Sequence, residues 1–387
     1  MPQHPRWRLT KPLRARIRAG HPWVYDRALA PPPRNVSSGD IVTIVDDEGP
    51  IATAFADPGS PIRARLLGDA DLDVDATWVR LRVAAAVELR ARDPLLVGCT
   101  GRRLVHGEGD RCPGLVIDAY GDTAVIVFDG AAAAAFWRPR LPDVLAGLAH
   151  GGAEIAHAWL RGERRDRGHG EAVRGDPPAE IVIEEDEARF AVDVRAGQKT
   201  GFFLDQRENR RTIRRHAAGA RVLNLFAYTG GFSIHAALGG AAHVTSGDIA
   251  APAIAALARN VELSGLPAQE TIVGDAFELL ARARRRWDLV IVDPPSFAPS
   301  ERAKPAALSA YRKLAVAALA VIEPGGRFAL ASCSSHVTEA DLLEQVAGID
   351  PGAALRIRLT AGAASDHPLL PAFPEGRYLK FLLFDRL

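Results

Sequence analysis

Residues 222–232 read Val222-Leu223-Asn224-Leu225-Phe226-Ala227-Tyr228-Thr229-Gly230-Gly231-Phe232. An apolar strand runs into a glycine turn, and the turn into the start of a helix. Such glycines let the backbone approach a ligand closely. The ligand then meets the crevice beyond the strand's carboxyl end. The glycines are not spaced Gly-x-Gly-x-x-Gly, which argues against a dinucleotide. From Arg221–Phe226 onward the pattern repeats. Strands are expected at His243–Asp248, Glu270–Val273, Trp287–Asp293 and Gly326–Ser332, with a terminal pair near Leu355–Leu359 and Tyr378–Phe384. Helices fill the gaps. Short apolar strands separated by helices predict an α/β fold with a parallel sheet covered on both faces.

The strand ends carry the chemistry. Asp248 ends the second strand, where a carboxylate can accept both hydroxyls of a ribose. Asp275, in Val273-Gly274-Asp275-Ala276, ends the third and can accept from an adenine amino group. Asp293 ends the fourth, in Val290-Ile291-Val292-Asp293-Pro294-Pro295-Ser296-Phe297. Carboxylates on three successive strands favour S-adenosylmethionine (SAM) as the cofactor. Asn224, Phe226, Tyr228, Gly230, Asp248, Asp275 and Asp293 are the candidate cofactor residues, and no metal site is expected. A Pro-Pro pair after a strand often only terminates it. Here the aspartate falls beside the expected methyl donor, and Phe297 offers a ring for stacking on a flipped base.

Cys333 follows the next strand, in Leu330-Ala331-Ser332-Cys333-Ser334-Ser335-His336. A free cysteine usually serves as a small buried apolar side chain, the reading given to Cys99 and Cys112. Cys333 instead stands at the same carboxyl edge as Asp293, where a nucleophile is expected. A thiol can add to C6 of a pyrimidine and make C5 nucleophilic enough to take a methyl group. Cys333 and Asp293 are the candidate catalytic pair.

The chain has 387 residues, 48 Lys and Arg against 47 Asp and Glu, and a net charge of +1. Global charge therefore says nothing for nucleic acid. The distribution says more: Arg6, Arg8, Lys11, Arg14, Arg16, Arg18 and Arg27 face a single early acid, Asp26. Three cysteines provide neither a disulfide framework nor a zinc spacing. No apolar run approaches a membrane span, and the arginine-rich start lacks the apolar stretch of a signal peptide. A cytoplasmic protein is expected. Residues 39–68 read as short strands fitting a small β-barrel. Residues 75–92 and 131–149 read as helices, and the polar 161–178 as an exposed hairpin loop.

These segments resemble a known family. Gly197-Gln198-Lys199-Thr200-Gly201-Phe202-Phe203-Leu204-Asp205-Gln206-Arg207-Glu208-Asn209-Arg210 looks like the signature before the catalytic domain of bacterial 23S rRNA (cytosine-C5) methyltransferases of the RlmI type. His21-Pro22-Trp23-Val24-Tyr25, Tyr228-Thr229-Gly230-Gly231-Phe232, Asp293-Pro294-Pro295, Ser332-Cys333-Ser334 and Gly376-Arg377-Tyr378-Leu379-Lys380 match in the same order. The resemblance implies a PUA-like RNA-binding domain over 1–72, a central α/β domain of the EEHEE type over 73–196, and a Rossmann-like class I methyltransferase domain over 197–387. It implies large-subunit rRNA as partner, with a homodimer as an open alternative and no membrane. It places Gln206 and Arg207 near the cofactor and gives Arg14, Arg16, Arg18, Lys199 and Phe297 to RNA. Phosphate contacts from Arg and Lys position RNA without reading its sequence. A related branch methylates guanine N7 and does not need a cysteine. A relative that keeps the fold but has lost catalysis is the reading from a different class. The intact set Asp248, Asp275, Asp293 and Cys333 speaks against it.

Overall fold

The computed structural model describes residues 4–162, 169–349 and 355–387. The chain forms two compact units. The first comprises Met1–Ile181, Val192–Phe202 and Ser365–Gly376; the second comprises Val182–Ala191, Phe203–Ala364 and Arg377–Leu387.

The first unit carries two five-stranded sheets. In one, the strands lie in the order Arg6–Arg8, Ile41–Asp46, Gly49–Ala56, Ile62–Asp69, Trp23–Tyr25. Alternation decides the inward face: Val42 and Ile44 are fully buried while their neighbours are not. The basic N-terminus is part of this sheet rather than a free arm. Every few residues an apolar side chain interrupts the charges, and Trp7, Ile17 and Val24 enter the core. In the other sheet the order is Gly170–Arg174, His157–Arg161, Thr123–Phe128, Leu115–Tyr120, Gly101–His106. Helices Ala76–Ala91 and Leu141–His150 contribute Val83, Val87, Val144 and Leu148 to its core. The helix expected over 131–149 is broken into Ala131–Trp137 and Leu141–His150. Pro139 and Pro142 lack the amide hydrogens a continuous helix would need there. The expected loop over 161–178 contains the strand Gly170–Arg174, which pairs antiparallel with His157–Arg161. Residues 163–168 of that segment lie outside the described residues.

Segment Ser365–Gly376 packs within the first unit. Arg103 donates its backbone N–H to Asp366 Oδ2 at 2.8 Å, and Arg90 donates to the Asp366 carbonyl at 2.7 Å. Arg90 also forms a bidentate pair with Asp110, and Arg103 with Asp118. Both of these buried guanidinium groups have a carboxylate partner, as desolvated charges require.

The second unit is a seven-stranded sheet with helices on both faces. In chain order its elements are α1 (Arg207–His216), β1 (Arg221–Leu225), α2 (Gly231–Leu238), β2 (His243–Asp248), α3 (Ala251–Leu263), β3 (Glu270–Val273), α4 (Ala276–Arg282), β4 (Trp287–Val292), α5 (Lys304–Ala320), β5 (Ile322–Ser332), α6 (Glu339–Val346), β6 (Leu355–Ala361) and β7 (Lys380–Arg386). The strand order is β3-β2-β1-β4-β5-β7-β6. The first five strands are parallel and β7 runs antiparallel to β5 and β6. Period-two alternation divides the strands between two cores. Leu223, Leu225, Val290, Val292, Phe328, Leu330, Leu382 and Phe384 fill one face. Val222, Leu289, Ile291, Ala329, Ala331, Phe381 and Leu383 fill the other. Both faces are apolar because both are covered, the condition for a parallel sheet. One buried charge cluster stands out. Arg210 pairs with both oxygens of Glu185 at 2.7 and 2.5 Å, and His235 Nε2 lies 2.9 Å from the same carboxylate. Burial would push the Glu185 carboxyl up, but Arg210 and His235 hold it well below the usual carboxylate range.

Candidate functional site

Because β3, β2, β1, β4 and β5 run parallel, their carboxyl ends meet at one edge of the sheet. Strand β1 pairs Leu225 with Gly247 on one side and with Val292 on the other. Strand β4 pairs Val292 with Leu330. The register brings Phe226, Asp248, Asp293 and Cys333 to the same rim.

Directly after β1 the backbone turns left-handed. Phe226 has φ 59° and Tyr228 φ 47°, values that residues with a Cβ seldom adopt. Such residues cost about 1–3 kcal/mol each and persist where the surroundings hold them. One restraint is visible: Tyr228 N donates to Asp248 Oδ2 at 2.9 Å. Gly230 follows at φ 90°, and a Cβ there would lie 2.6 Å from Leu257 Cγ, so only glycine fits. Asp248 is half-buried, and its other oxygen accepts from Ala250 N at 2.9 Å. Each carboxylate oxygen thus has one amide donor and further acceptor capacity.

Asp275 is the N-cap of α4. Its Oδ1 accepts from Phe277 N at 2.9 Å and Glu278 N at 3.2 Å. A role not read from the sequence thus occupies one of its two oxygens. Asn224 departs further from expectation. It is 1% exposed, its Nδ2 donates to Ser233 Oγ at 2.8 Å, and Ser233 bonds Ser246 at 2.7 Å. Strand alternation sends Asn224 to the same face as Val222, under α2, rather than into the crevice.

Asp293, half-buried after β4, accepts from Gln206 Nε2 at 3.0 Å. Gln206 in turn accepts from Asn209 Nδ2 at 2.6 Å, and Asn209 donates to the Gly362 carbonyl at 3.0 Å. Gln206 therefore orients Asp293 through a buried amide chain, where the resemblance implied a place near the cofactor. Arg207 lies 3.8 Å from Glu185 in the buried charge cluster, fully enclosed.

Cys333 is half-buried at the end of β5, between the buried Ser332 and Ser334. Cys99 and Cys112 are buried in the first unit, and burial pushes the Cys112 thiol far up. A set of hydroxyls joins the Cys333 turn to the Asp293 turn. Tyr311 from α5 donates to Ser332 Oγ at 2.8 Å. Ser334 Oγ lies 3.1 Å from Ser296 Oγ and accepts from Ala298 N at 3.3 Å. Burial raises the Tyr311 phenol, against its bonds to Ser332 and Ser334, and the negative charges of Cys333 and Asp293 raise it further. Tyr311 thus stands close to both catalytic candidates, protonated and donating. No motif marks it, because it falls in the apolar stripe of α5. Phe297 turns its ring against Tyr311, centroids 5.1 Å apart, and packs on the core rather than standing clear for a base.

The RNA candidates Arg14, Arg16, Arg18 and Lys199 belong to the first unit, and the residues just described as the rim belong to the second. Arg14 is committed to structure. Its guanidinium is paired with Asp46, Nε to Oδ2 at 2.8 Å, and it donates to the Gly49 carbonyl at 2.9 Å. Arg16 is exposed and pairs with Glu375 at 3.2 Å, and Arg18 is exposed. Lys199 is exposed at φ 54°, its carbonyl accepting from Arg161. No helix among the described residues is long and apolar enough to cross a membrane.

The likeness to known proteins is extensive. The sequence model of the SAM-dependent methyltransferase family matches residues 102–384, and that of the PUA-like domain matches residues 8–69. A ribosomal RNA large subunit methyltransferase of Deinococcus radiodurans is 38% identical, covering 98% of this chain and 97% of the relative. Ribosomal RNA large subunit methyltransferase I of Aeromonas salmonicida is 35% identical over 94% of each chain. Among solved structures, a Streptococcus mutans chain described as a candidate SAM-dependent methyltransferase superposes with a TM-score of 0.85 at 22% identity. It covers 98% of this chain and all of its own. A second structure, described as a candidate methyltransferase complexed with SAH, superposes equally well and shares the fold. The chain belongs to the family of SAM-dependent methyltransferases that includes these large-subunit ribosomal RNA enzymes.

Proposed function

We propose that the protein methylates C5 of a cytidine in large-subunit rRNA, with Cys333 as the nucleophile and Asp293 as the residue that holds the base. The observation carrying this reading is the delivery of a half-buried thiol and a carboxylate to one strand-end rim, their turns joined through Ser296, Ser334, Ser332 and Tyr311.

The residues present fit the cofactor. Asp248 retains acceptor capacity beyond its two amide donors, as a ribose diol requires. Ile249, Val273 and Phe277, next to Asp248 and Asp275 in sequence, leave apolar surface exposed as an adenine face requires. When bound, SAM supplies the methyl group. The protein's part is to activate the acceptor. The Cys333 thiolate adds to C6, and the electron pair of the C5–C6 double bond moves to C5. Once C5 carries the methyl group, a base takes the C5 proton, the C5–H pair re-forms the double bond, and the C6–sulfur pair returns to Cys333. Asp293 accepts from the exocyclic amine and stabilises a protonated N3, held in place by Gln206. A cytosine stacked in a duplex cannot reach such a rim, so the target is single-stranded or flipped. Exposed Arg16, Arg18 and Lys199 are the proposed phosphate contacts.

An RNA substrate carrying 5-fluorocytidine tests the reading, because fluorine at C5 cannot leave as a cation and the adduct persists. A covalent protein–RNA species that appears with wild type and vanishes in Cys333→Ala is expected. Cys333→Ala should also abolish methyl transfer while leaving SAM affinity and the melting curve close to wild type. Methylation retained by Cys333→Ala sinks the C5 mechanism and favours methylation of guanine N7 or an amino group.

A further inference from the structure

Lys380 opens β7 and pairs in register with Ser332, the last residue of β5 before Cys333. Its side chain is turned inward and only 5% of the residue is exposed. Buried lysines are rare unless a carboxylate is at hand. Here Nζ donates to the Ser334 carbonyl at 2.5 Å and the Tyr378 carbonyl at 2.8 Å, and among the described residues neither partner is a carboxylate. The first of those carbonyls belongs to the residue after Cys333.

Building on the assignment of Cys333 as nucleophile, we propose that Lys380 is a positioning residue whose ammonium both clamps the Ser332-Cys333-Ser334 turn and favours ionisation of the Cys333 thiol. An opposite charge a few ångströms away favours the charged form of a group, and cysteine reactivity follows its thiolate fraction. Lys380 exchanges no atoms in the reaction. The Cys333 proton goes to solvent before sulfur adds to C6, and the positive charge is in place again when the thiolate departs.

The surroundings agree. Burial pulls the Lys380 ammonium down to about 8, while the negative charges of Cys333 and Asp341 work against that fall. Titratable groups reach the turn from neighbouring elements. Helix α5 contributes Tyr311, the turn after β4 contributes Asp293, and α6 contributes Asp341. Asp341 is itself paired with Lys304 at 2.8 Å. Lys380 is thus the cation among these groups, bonded to the turn and sensing the charge of Cys333. A lysine at about 8 is mostly charged at neutral pH and loses its proton above it, so its help to the thiolate is present below about pH 8.

The test reads the thiol and not the methylation. Iodoacetamide alkylates thiolates, and peptide mass spectrometry isolates the Cys333 rate in the full-length protein from about pH 5.5 to 9.5, a range that brackets the ordinary cysteine value. Wild-type Cys333 should titrate clearly below that value of about 8.5. Lys380→Met should raise that midpoint by about one unit and slow alkylation at about pH 7 roughly tenfold. Lys380→Arg, which keeps the charge, should restore most of the rate. SAM binding by calorimetry checks that each variant is folded. A folded Lys380→Met with an unchanged profile overturns the proposal, as does a wild-type midpoint at or above about 8.5. The wild-type profile decides alone if Lys380→Met does not fold. Failure of the nucleophile assignment is a separate result, since it shows as methylation by Cys333→Ala.

Discussion

Replacing Asp248 by alanine tests the cofactor end of the site. The carboxylate holds two backbone amides, Tyr228 N and Ala250 N, each at 2.9 Å. It is also the group proposed to accept the ribose hydroxyls. Alanine removes both functions together. Leaving the ribose hydroxyls without an acceptor costs about 1–3 kcal/mol, or roughly 5- to 150-fold in Kd. A further penalty is indirect. Tyr228 stays at φ 47° with the help of its bond to Asp248, and releasing it lets the turn relax toward ordinary backbone. Asp248→Asn should do almost as badly, because its amide nitrogen would face one of two amide donors while only one oxygen still accepts. Titration calorimetry with SAM measures the Kd, and a thermal melt shows whether the unit is intact. A folded Asp248→Ala variant that binds SAM as tightly as wild type refutes the assignment.

Three further perturbations separate the roles of the first unit. Reversing Arg16 and Arg18 to Glu should weaken RNA binding, spare SAM binding, and flatten the slope of log K against log salt by about one for each phosphate no longer neutralised. Unchanged RNA affinity across several salt concentrations would remove these residues from the interface. Arg14→Glu should instead destabilise the first sheet, since it sets a carboxylate against Asp46 and Glu48. Acid should also loosen this unit through His106, whose burial, followed by His367, Arg103 and Arg90, keeps it neutral well below the usual histidine range. The unfolded chain takes up that proton below about pH 6.5, so stability falls as pH drops through this window, by at most about 1.4 kcal/mol per unit. His106→Gln should narrow the difference in melting temperature between about pH 7.5 and 5.5, on either side of that value, and an undiminished difference would show that other groups carry it.

What could be read from the chain divides along a physical line. The strands of the second unit were legible because their signal is periodic and local: Leu289, Val290, Ile291 and Val292 are buried alternately on two covered faces. The strand-end positions of Asp248, Asp293 and Cys333 follow from that periodicity without any knowledge of side-chain partners. The failures concern direction and pairing. Asn224 lies in the glycine-turn motif, yet strand parity turns it under a helix to Ser233. Arg14 reads as one of several basic residues, and only the position of the hairpin at Asp46–Gly49 reveals that its charge is already neutralised. Glu185 and Arg210 are ordinary charged residues in the sequence, and become a buried pair only once the chain folds.

The same division explains why the candidate catalytic rim is half legible. Asp293 and Cys333 each end a parallel strand, a position that composition and spacing mark. What holds them comes from elsewhere in the chain. Gln206 precedes α1, Tyr311 lies mid-helix in α5, and Lys380 begins β7, which returns antiparallel to β5. That reversed strand is the consequential feature. A parallel neighbour at this place would begin at the opposite end of the sheet and could not bring its first residue to the rim. The antiparallel β7 starts where β5 stops, so its first side chain arrives beside the Cys333 turn as a direct result of strand direction. The topology itself brings a buried cation to the Cys333 turn.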